Sequence, residues 1–150
     1  FQIALTTLAT ELAQDIVRDG EGATKFVAIE VSGALSVAEA DSVARTVAHS
    51  PLVKTALFAS DPNWGRVLAA IGRAGVENLD VDAVSLSING ALIAEKGARA
   101  DSYTEQAGVA AMSPEDLLIS IDLARGNQTA TIWTTDFSYD YVKINAEYRT

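Results

Sequence analysis

The 150-residue sequence has no cysteine, a single histidine and few basic residues. Without cysteine the chain has no disulfide, no thiolate nucleophile and no zinc–thiolate site, and one histidine excludes a multi-histidine metal centre. Eleven basic against twenty acidic residues give a net charge of −9, which argues against broad binding to nucleic acid or an anionic membrane, because both require a positive surface. No apolar run reaches the ~18 residues that span a bilayer. We therefore expect a cytoplasmic protein without a metal site.

Helical periodicity and capping signals mark the predicted helices. Apolar residues at three- and four-residue spacing predict a helix with one apolar face over 3–18. Ser36 and Glu39 form a capping box in front of a second helix. Asp61 is expected to cap a third helix, whose first position is taken by Pro62.

Runs of β-branched and alternating apolar residues mark the predicted strands. Asn89-Gly90 is a strong hairpin signal between two of them, and Gly126-Asn127 provides a second turn. Hairpins mixed with helical crossovers favour an α+β fold with mixed sheets over a purely parallel sheet. The predicted strands are 25–33, 52–58, 84–88, 92–94, 119–123, 129–134 and 141–148, and a further helix is predicted over 101–111.

An acidic loop follows the first predicted helix, with the sequence Asp19-Gly20-Glu21-Gly22. Its two carboxylates stand at a helix C-terminus, where the helix dipole disfavours anions by roughly 0.3–1 kcal/mol each. A local rule broken without evident gain often marks a functional position, so Glu21 is a candidate for presenting its carboxylate to a ligand amine. The alternative is a helix C-cap followed by an ordinary turn. A phosphate-binding loop is disfavoured, because such loops follow a strand and precede a helix.

Two further stretches each leave two interpretations open. The residues 61–66 either only start a helix, with Trp64 packing in a core or an interface, or offer free amides and Arg66 to an anion. The run 141–148 is predicted as a strand, and strand alternation places Asn145 on its polar side. That polar side is either solvated at a sheet edge or lines a pocket.

Four segments of the sequence are informative together, namely 11–25, 61–66, 119–126 and 141–150. In the right order and from end to end, they resemble the ArgJ family of ornithine acetyltransferases. The resemblance implies a precursor that cuts itself before a threonine, giving an α and a β chain in an α2β2 heterotetramer. The new N-terminal threonine takes the acetyl group from N2-acetylornithine, releases ornithine and passes the acetyl group to glutamate. Some members accept acetyl-CoA as a substrate, and no metal or bound organic cofactor is implied.

The sequence departs from the family pattern at its start. It begins with Phe1 and lacks an Ala-Thr-Met-Leu-like cleavage motif, so we expect it to be the C-terminal part of the β chain. Thr6, Thr7 and Thr10 lie in the first predicted helix without a free α-amine, and none is assigned as the nucleophile. We therefore expect no catalytic residue in this chain, and its expected partners are the α chain and the missing N-terminal part of the β chain.

The resemblance does carry over three substrate-binding residues, namely Glu21, Asn145 and Thr150. It implies that the carboxylate of Glu21 pairs with the substrate amine, while Asn145 and Thr150 hydrogen-bond the amino-acid end. In a regular strand Asn145 and Thr150 would lie on opposite faces, so both reach one ligand only where the last residues leave the strand.

The resemblance also implies the C-terminal part of a two-domain fold of the ArgJ and DmpA kind. Residues 1–25 and 135–150 would belong to, or abut, the α/β domain that holds the active site, and residues 26–134 would form a smaller α+β domain. Two alternatives to the acetyltransferase stay open. One is a self-processed aminopeptidase or amidase of a related fold, and the other is a catalytically inactive amino-acid-binding module.

Overall fold

The computed structural model describes residues 1–148. Its helices are α1 (Gln2–Arg18), α2 (Val37–Ala48), α3 (Pro51–Phe58), α4 (Trp64–Gly72), α5 (Glu105–Met112) and α6 (Tyr139–Glu147). Its strands are β1 (Phe26–Ala34), β2 (Ser85–Ile88), β3 (Ala91–Glu95), β4 (Ala98–Arg99), β5 (Asp116–Asp122) and β6 (Gln128–Thr135).

The strands form one six-stranded sheet in the order β4-β3-β2-β5-β1-β6. Only β1 and β5 run parallel, and the other neighbours are antiparallel. The expected α+β class with a mixed sheet is therefore confirmed. Because β6 runs antiparallel to β1, the start of β1 lies beside the end of β6, where Phe26 pairs with Thr135.

The core lies on one side of this sheet. Alternate residues of β1 and β5 pair in register, for example Ile29 with Ile119, and both are fully buried. The helix α2 packs on β1 and β6 and contacts α4, while α5 packs on β2 and β3. On the other side of β1, Glu30 is exposed, so the strands are covered on one face and follow the alternation of a half-buried sheet. The buried side is formed by Val27, Ile29, Val31, Leu86, Ile88, Leu117, Ile119 and Ile121.

The predicted capping box in front of α2 is present with one change. Ser36 accepts a hydrogen bond from the Glu39 amide at 3.1 Å, as the motif requires. The Glu39 carboxylate, however, accepts from the amide of Leu35 at 3.3 Å rather than from Ser36. The reciprocal bond thus reaches one residue further back and fixes the chain as it leaves β1.

The segment 52–58 is a helix, and the predicted strand is wrong. Ser50 caps α3 by accepting from the Val53 amide, and Pro51 takes the first helical turn. Proline suits that position because its missing N–H would have no partner there. Ser50 and Pro51 therefore both end α2 and begin α3, and a short apolar run alone could not distinguish the two structures.

The start of α4 lies two residues later than predicted. Asn63, not Asp61, is the N-cap, and its side-chain oxygen accepts from the Arg66 amide at 3.2 Å. Asp61 instead accepts a hydrogen bond from the Asn63 side chain at 2.9 Å. Pro62 accordingly precedes the helix rather than opening it.

Residues 141–147 are also helical, so the strand predicted over 141–148 and its alternating faces are wrong. Ser138 caps α6 and accepts from the Tyr141 amide at 3.1 Å, and Asp140 lies in the first turn, where the helix dipole favours an anion. The alternation of apolar and polar residues belongs to a helix that buries none of its residues, so no buried face imposes the helical period on the sequence.

The hairpin at Asn89-Gly90 is confirmed. Both residues have positive φ, 45° and 81°, as a type I′ turn requires. A second hairpin between β3 and β4 was not predicted, and Lys96 and Gly97 have positive φ there too. The strands on either side of Gly126-Asn127 do not form the expected hairpin, because β1 lies between β5 and β6 in the sheet. The helix predicted over 101–111 begins later, since Thr104 caps α5.

Helix α1 forms as predicted but buries none of its residues. The large apolar side chains on it are exposed, and Leu8 and Leu12 each keep more than half of their surface accessible, 53% and 54%. Among the described residues, no helix combines the length and the apolar character that crossing a membrane requires.

Candidate functional site

The acidic loop forms a tight turn between α1 and β1. The Ala23 amide donates to the Gly20 carbonyl at 3.0 Å, and Gly22 has φ of 68°. A positive φ at the third position is the mark of a type II turn, which favours glycine there. The turn leaves Glu21 exposed at its tip, so the local sequence itself explains why this carboxylate is presented.

The N-terminus of α6 packs directly on this turn. The Ser138 hydroxyl donates to the Gly22 carbonyl at 2.5 Å and accepts from the Tyr141 amide at 3.1 Å. A Cβ atom on Gly22 would lie only 2.5 Å from the Tyr141 nitrogen. Glycine is therefore required at position 22 both for the backbone conformation and for the close approach of α6.

Glu21 and Asn145 meet across this contact. The Asn145 Nδ2 donates to Glu21 Oε2 at 3.2 Å and to the Tyr141 carbonyl at 2.9 Å. Since the two N–H groups of the amide are used in this way, its Oδ1 is left to accept, and the carboxylate beside it is also an acceptor. The pair is chemically suited to a ligand that donates hydrogen bonds and carries a positive charge, such as an ammonium group.

A buried carboxylate joins the turn to the end of β6. Asp136 is only 3% exposed and accepts from the amides of Thr24 and Lys25 at 2.8 and 3.0 Å. The Thr24 hydroxyl donates to its second oxygen at 2.5 Å. Three donors thus satisfy the charge of Asp136 away from water, which a buried carboxylate requires.

Two lysines form hydrogen bonds near the start of β1 and the end of β6. Lys25 is 9% exposed, and its Nζ donates to the carbonyls of Met112 and Pro114 at 2.9 and 3.0 Å, which fastens the start of β1 to the end of α5. Lys54 Nζ donates to the Thr134 hydroxyl at 3.0 Å and to the Thr135 carbonyl. Burial lowers the pKa of Lys54, and the nearby charge of Asp136 opposes that shift. Both ammonium groups are therefore occupied by structural contacts.

Arg18, at the end of α1, binds Asp116 on β5. Its two terminal nitrogens donate to the two carboxylate oxygens at 2.5 and 2.8 Å, and its guanidinium lies 3.8 Å from the centre of the Phe26 ring. The hydrogen bonds and charge of Arg18 lower the pKa of Asp116. This pair borders a cavity of about 250 Å³ that is also lined by Thr24 and Lys25.

The structure therefore brings two of the three predicted binding residues together. Glu21 and Asn145 are in contact, but on a turn and a helix rather than on a turn and a strand. Thr150 lies outside the described residues. Asp136 and Ser138 were missed by sequence reasoning. The signal for Ser138 was present, because a serine followed two residues later by Asp140 is typical of a helix start.

The stretch 61–66 lies at a separate cavity of about 300 Å³. Arg66 does not point to a free anion position, since its guanidinium donates to the Leu52 carbonyl and the Thr55 hydroxyl. Among residues 1–148, no three histidine, cysteine or acidic side chains come together as metal ligands would. The cavity beside residues 61–65 is also lined by Arg99, Tyr103 and Glu105.

Comparison with known proteins gives consistent matches. The sequence matches the ArgJ family over residues 1–150. The "Arginine biosynthesis bifunctional protein ArgJ" of Pseudomonas fluorescens (strain Pf0-1) is 58% identical over 147 residues, and that of Colwellia psychrerythraea is 57% identical over 152. Each alignment covers 98% of this chain but 36% of the relative. The chain thus spans about a third of the length of these curated relatives.

A solved structure has the same fold. The crystal structure of "Arginine biosynthesis bifunctional protein argJ" from Bacillus halodurans superposes with a TM-score of 0.89 at 39% identity. The match covers 97% of this chain and 68% of that one.

Proposed function

The chain belongs to the ArgJ family, and from this we propose that it is part of an acetyltransferase that moves an acetyl group from N2-acetylornithine to glutamate in arginine biosynthesis. The two curated relatives carry arginine biosynthesis in their names and share 57–58% of their residues with this chain. That similarity extends over nearly the whole of this chain, which supports a shared reaction in the longer protein.

The reaction requires a nucleophile that we assign to a threonine outside these 150 residues. Its hydroxyl attacks the acetyl carbonyl of the donor, the amide C–N bond breaks, and the proton leaves with the released amine of ornithine. The amine of glutamate then attacks the acyl ester, and the threonine hydroxyl is restored. A covalent intermediate divides one difficult amide transfer into two easier steps.

In this scheme the chain supplies one wall of the substrate pocket. The observation that carries the proposal is the Glu21–Asn145 contact at 3.2 Å. The Glu21 carboxylate binds the positively charged amine of the substrate, and Asn145 adds a second acceptor beside it. Charge-assisted hydrogen bonds of this kind are shorter and about twice as strong as neutral ones. Thr150 is proposed as a third contact.

The assembly is proposed as an α2β2 heterotetramer in the cytoplasm. In it, the α chain and the remaining part of the β chain surround this chain, and acetyl-CoA serves as an alternative donor. The exposed apolar face of α1 supports this arrangement, because a face of that size is normally covered in a folded protein. Neither a bound metal nor an organic cofactor is part of the proposal.

The test compares Glu21→Gln with Glu95→Gln in the full-length protein that contains this chain. Both changes remove one carboxylate, but Glu95 lies on β3, at the other side of the sheet order from β1 and β6. With acetyl transfer from N2-acetylornithine to glutamate as the assay, Glu21→Gln should raise KM for the donor about tenfold or more. Unchanged KM and kcat for both substrates would reject the assigned role of Glu21.

The same assay separates the alternatives. An acetyltransferase releases ornithine and forms N-acetylglutamate in equal amounts, whereas an aminopeptidase or amidase passes the acyl group to water and needs no glutamate. Release of acetate that is independent of glutamate would therefore favour hydrolysis. Saturable binding of ornithine without any turnover by the full-length protein would favour the amino-acid-binding module.

A further inference from the structure

We propose that Asp136 and Ser138 are positioning residues that hold Glu21 and Asn145 at the separation needed to bind one ammonium group together. The inference rests on the proposed function of that pair. It adds two residues that would not contact the substrate, and it assigns to them a measurable effect on substrate binding.

The first argument is the weakness of the pair itself. Glu21 and Asn145 are exposed, stand on different elements and share a single side-chain hydrogen bond. An exposed hydrogen bond of this kind exchanges readily with water and contributes little to stability. Their separation must therefore be fixed by other contacts between the turn and α6.

Asp136 supplies the first of these contacts. It receives hydrogen bonds from Thr24 and Lys25, which directly follow the turn, and it lies immediately after β6 at 3% exposure. Three donors bind one buried carboxylate, and separating them would leave buried polar groups without hydrogen bonds. Because this costs free energy, the contact holds the two segments together. Asp136 thus fixes where the turn stands relative to the end of the sheet.

Ser138 supplies the second contact and links the turn to α6. One hydroxyl both donates to the Gly22 carbonyl at 2.5 Å and caps α6 by accepting from Tyr141. Glu21 is adjacent to Gly22, and Asn145 lies one helical turn beyond Tyr141, whose carbonyl it binds. The turn and the helix therefore cannot shift independently while this hydroxyl is in place. Only one residue separates Asp136 from Ser138, so the two contacts together hold the turn against the end of β6 and the start of α6.

The test uses Ser138→Ala and the matched variant Ser50→Ala in the full-length protein. Both serines are N-caps with 4% and 3% exposure, and each loses a cap when changed to alanine. Only Ser138 also binds the turn. Ser138→Ala should raise KM for N2-acetylornithine about tenfold with kcat reduced much less, whereas Ser50→Ala should lower the unfolding temperature alone. If Ser138→Ala fails to fold, Thr24→Val takes its place in the test. This variant removes only the hydroxyl bound to Asp136 and should also raise KM for N2-acetylornithine.

A double-mutant cycle distinguishes failure of this inference from failure of the proposed function. If Ser138 acts through Glu21, Ser138→Ala should have little further effect on KM in a Glu21→Gln background, because the pair is already lost. The positioning role would be overturned if Ser138→Ala changed KM equally in both backgrounds, or if Ser138→Ala and Ser50→Ala had equal KM. The proposed binding site would still stand in that case, provided that Glu21→Gln alone raises KM. No effect of Glu21→Gln at all would overturn both.

Discussion

Asn145 donates a hydrogen bond to Glu21 at 3.2 Å although the two residues lie 124 positions apart in the sequence. The contact depends on the antiparallel pairing of β6 with β1, which returns the chain to the start of β1 just before α6 begins. A site built from these two side chains therefore forms only when both ends of the chain are folded onto the same edge of the sheet.

Asn145→Leu should weaken substrate binding without unfolding the protein. Leucine keeps a similar size but cannot donate to Glu21 or to the Tyr141 carbonyl. Because the residue is exposed, we expect the free energy of unfolding to change by about 1 kcal/mol or less, and KM for N2-acetylornithine to rise several-fold. Steady-state kinetics and urea unfolding check the two parts. Lys143→Leu on the same helix is the control, and an equal rise in KM there would remove the special role of Asn145.

Gly22→Ala should destabilise the protein by about 3 kcal/mol. Alanine disfavours the φ of 68° at this position, and its Cβ would lie 2.5 Å from the Tyr141 nitrogen. Gly72→Ala is the matched change, since a Cβ there meets nothing within 4 Å. Denaturant unfolding should give a near-neutral or slightly stabilising value for Gly72→Ala. Similar midpoints for the two variants would contradict the close contact between the turn and α6.

The strands β1, β2, β3, β5 and β6 and the hairpin at Asn89-Gly90 were the predictable part of this fold. The hairpin between β3 and β4 was not predicted, and the one predicted across Gly126-Asn127 was wrong, because β1 lies between β5 and β6 in the sheet. The alternation in β1, β2 and β5 has one buried side, and a buried side imposes the period of two on the sequence. The turn at Asn89-Gly90 was predictable because its backbone conformation favours those residue types. Two helices were predicted as strands. In α6 no residue is buried, so burial does not impose a period on its sequence, and α3 is too short for its period to be recognised.

The candidate site was only partly predictable. Glu21 stood out from the residues alone, because an anion at a helix C-terminus is locally unfavourable. Asn145 came from the family resemblance, and its partner could not be deduced from local pattern, since the contact is made between elements far apart in sequence. Asp136 gave no sequence signal at all, because a single buried carboxylate is defined by donors that only the folded chain brings to it.

Because Arg18 and Asp116 form an ion pair, we expect the free energy of unfolding to depend on pH in the acidic range and on the salt concentration. Arg18 lowers the pKa of Asp116, so the folded state binds fewer protons than the unfolded state between the two pKa values. The contribution is fully present above the unfolded pKa of Asp116 and is lost as the pH falls through the lower, folded value. Asp116→Asn should remove this part of the acid dependence. Because the pair is exposed, 1 M salt should reduce the difference between the two proteins, and a difference that survives salt unchanged would argue against an ion pair.

The lowered pKa of Lys54 makes the free energy of unfolding depend on pH in the alkaline range. Its pKa is lowered by burial, so the folded state releases this proton more readily than the unfolded state, and the free energy of unfolding should rise with pH between the lowered value and 10.5. Lys54→Met keeps the apolar stem but has no ammonium group. Unfolding of both proteins between pH 8 and 10.5 should show the wild type gaining on the variant as the pH rises. Parallel curves would exclude a lowered pKa at Lys54.

The exposed face of α1 predicts that the same substitution has different effects in this chain and in the full-length protein. Leu8 is 53% exposed here, so Leu8→Ala in the 150-residue chain should change the free energy of unfolding by no more than about 0.5 kcal/mol. In the full-length protein, where we propose that other segments cover α1, the same change should cost roughly 2 kcal/mol or more. Leu86→Ala is the control, because Leu86 is fully buried within the chain itself and should cost about 2–5 kcal/mol in both proteins. Equal and negligible effects of Leu8→Ala in the two proteins would mean that α1 stays exposed in the assembly.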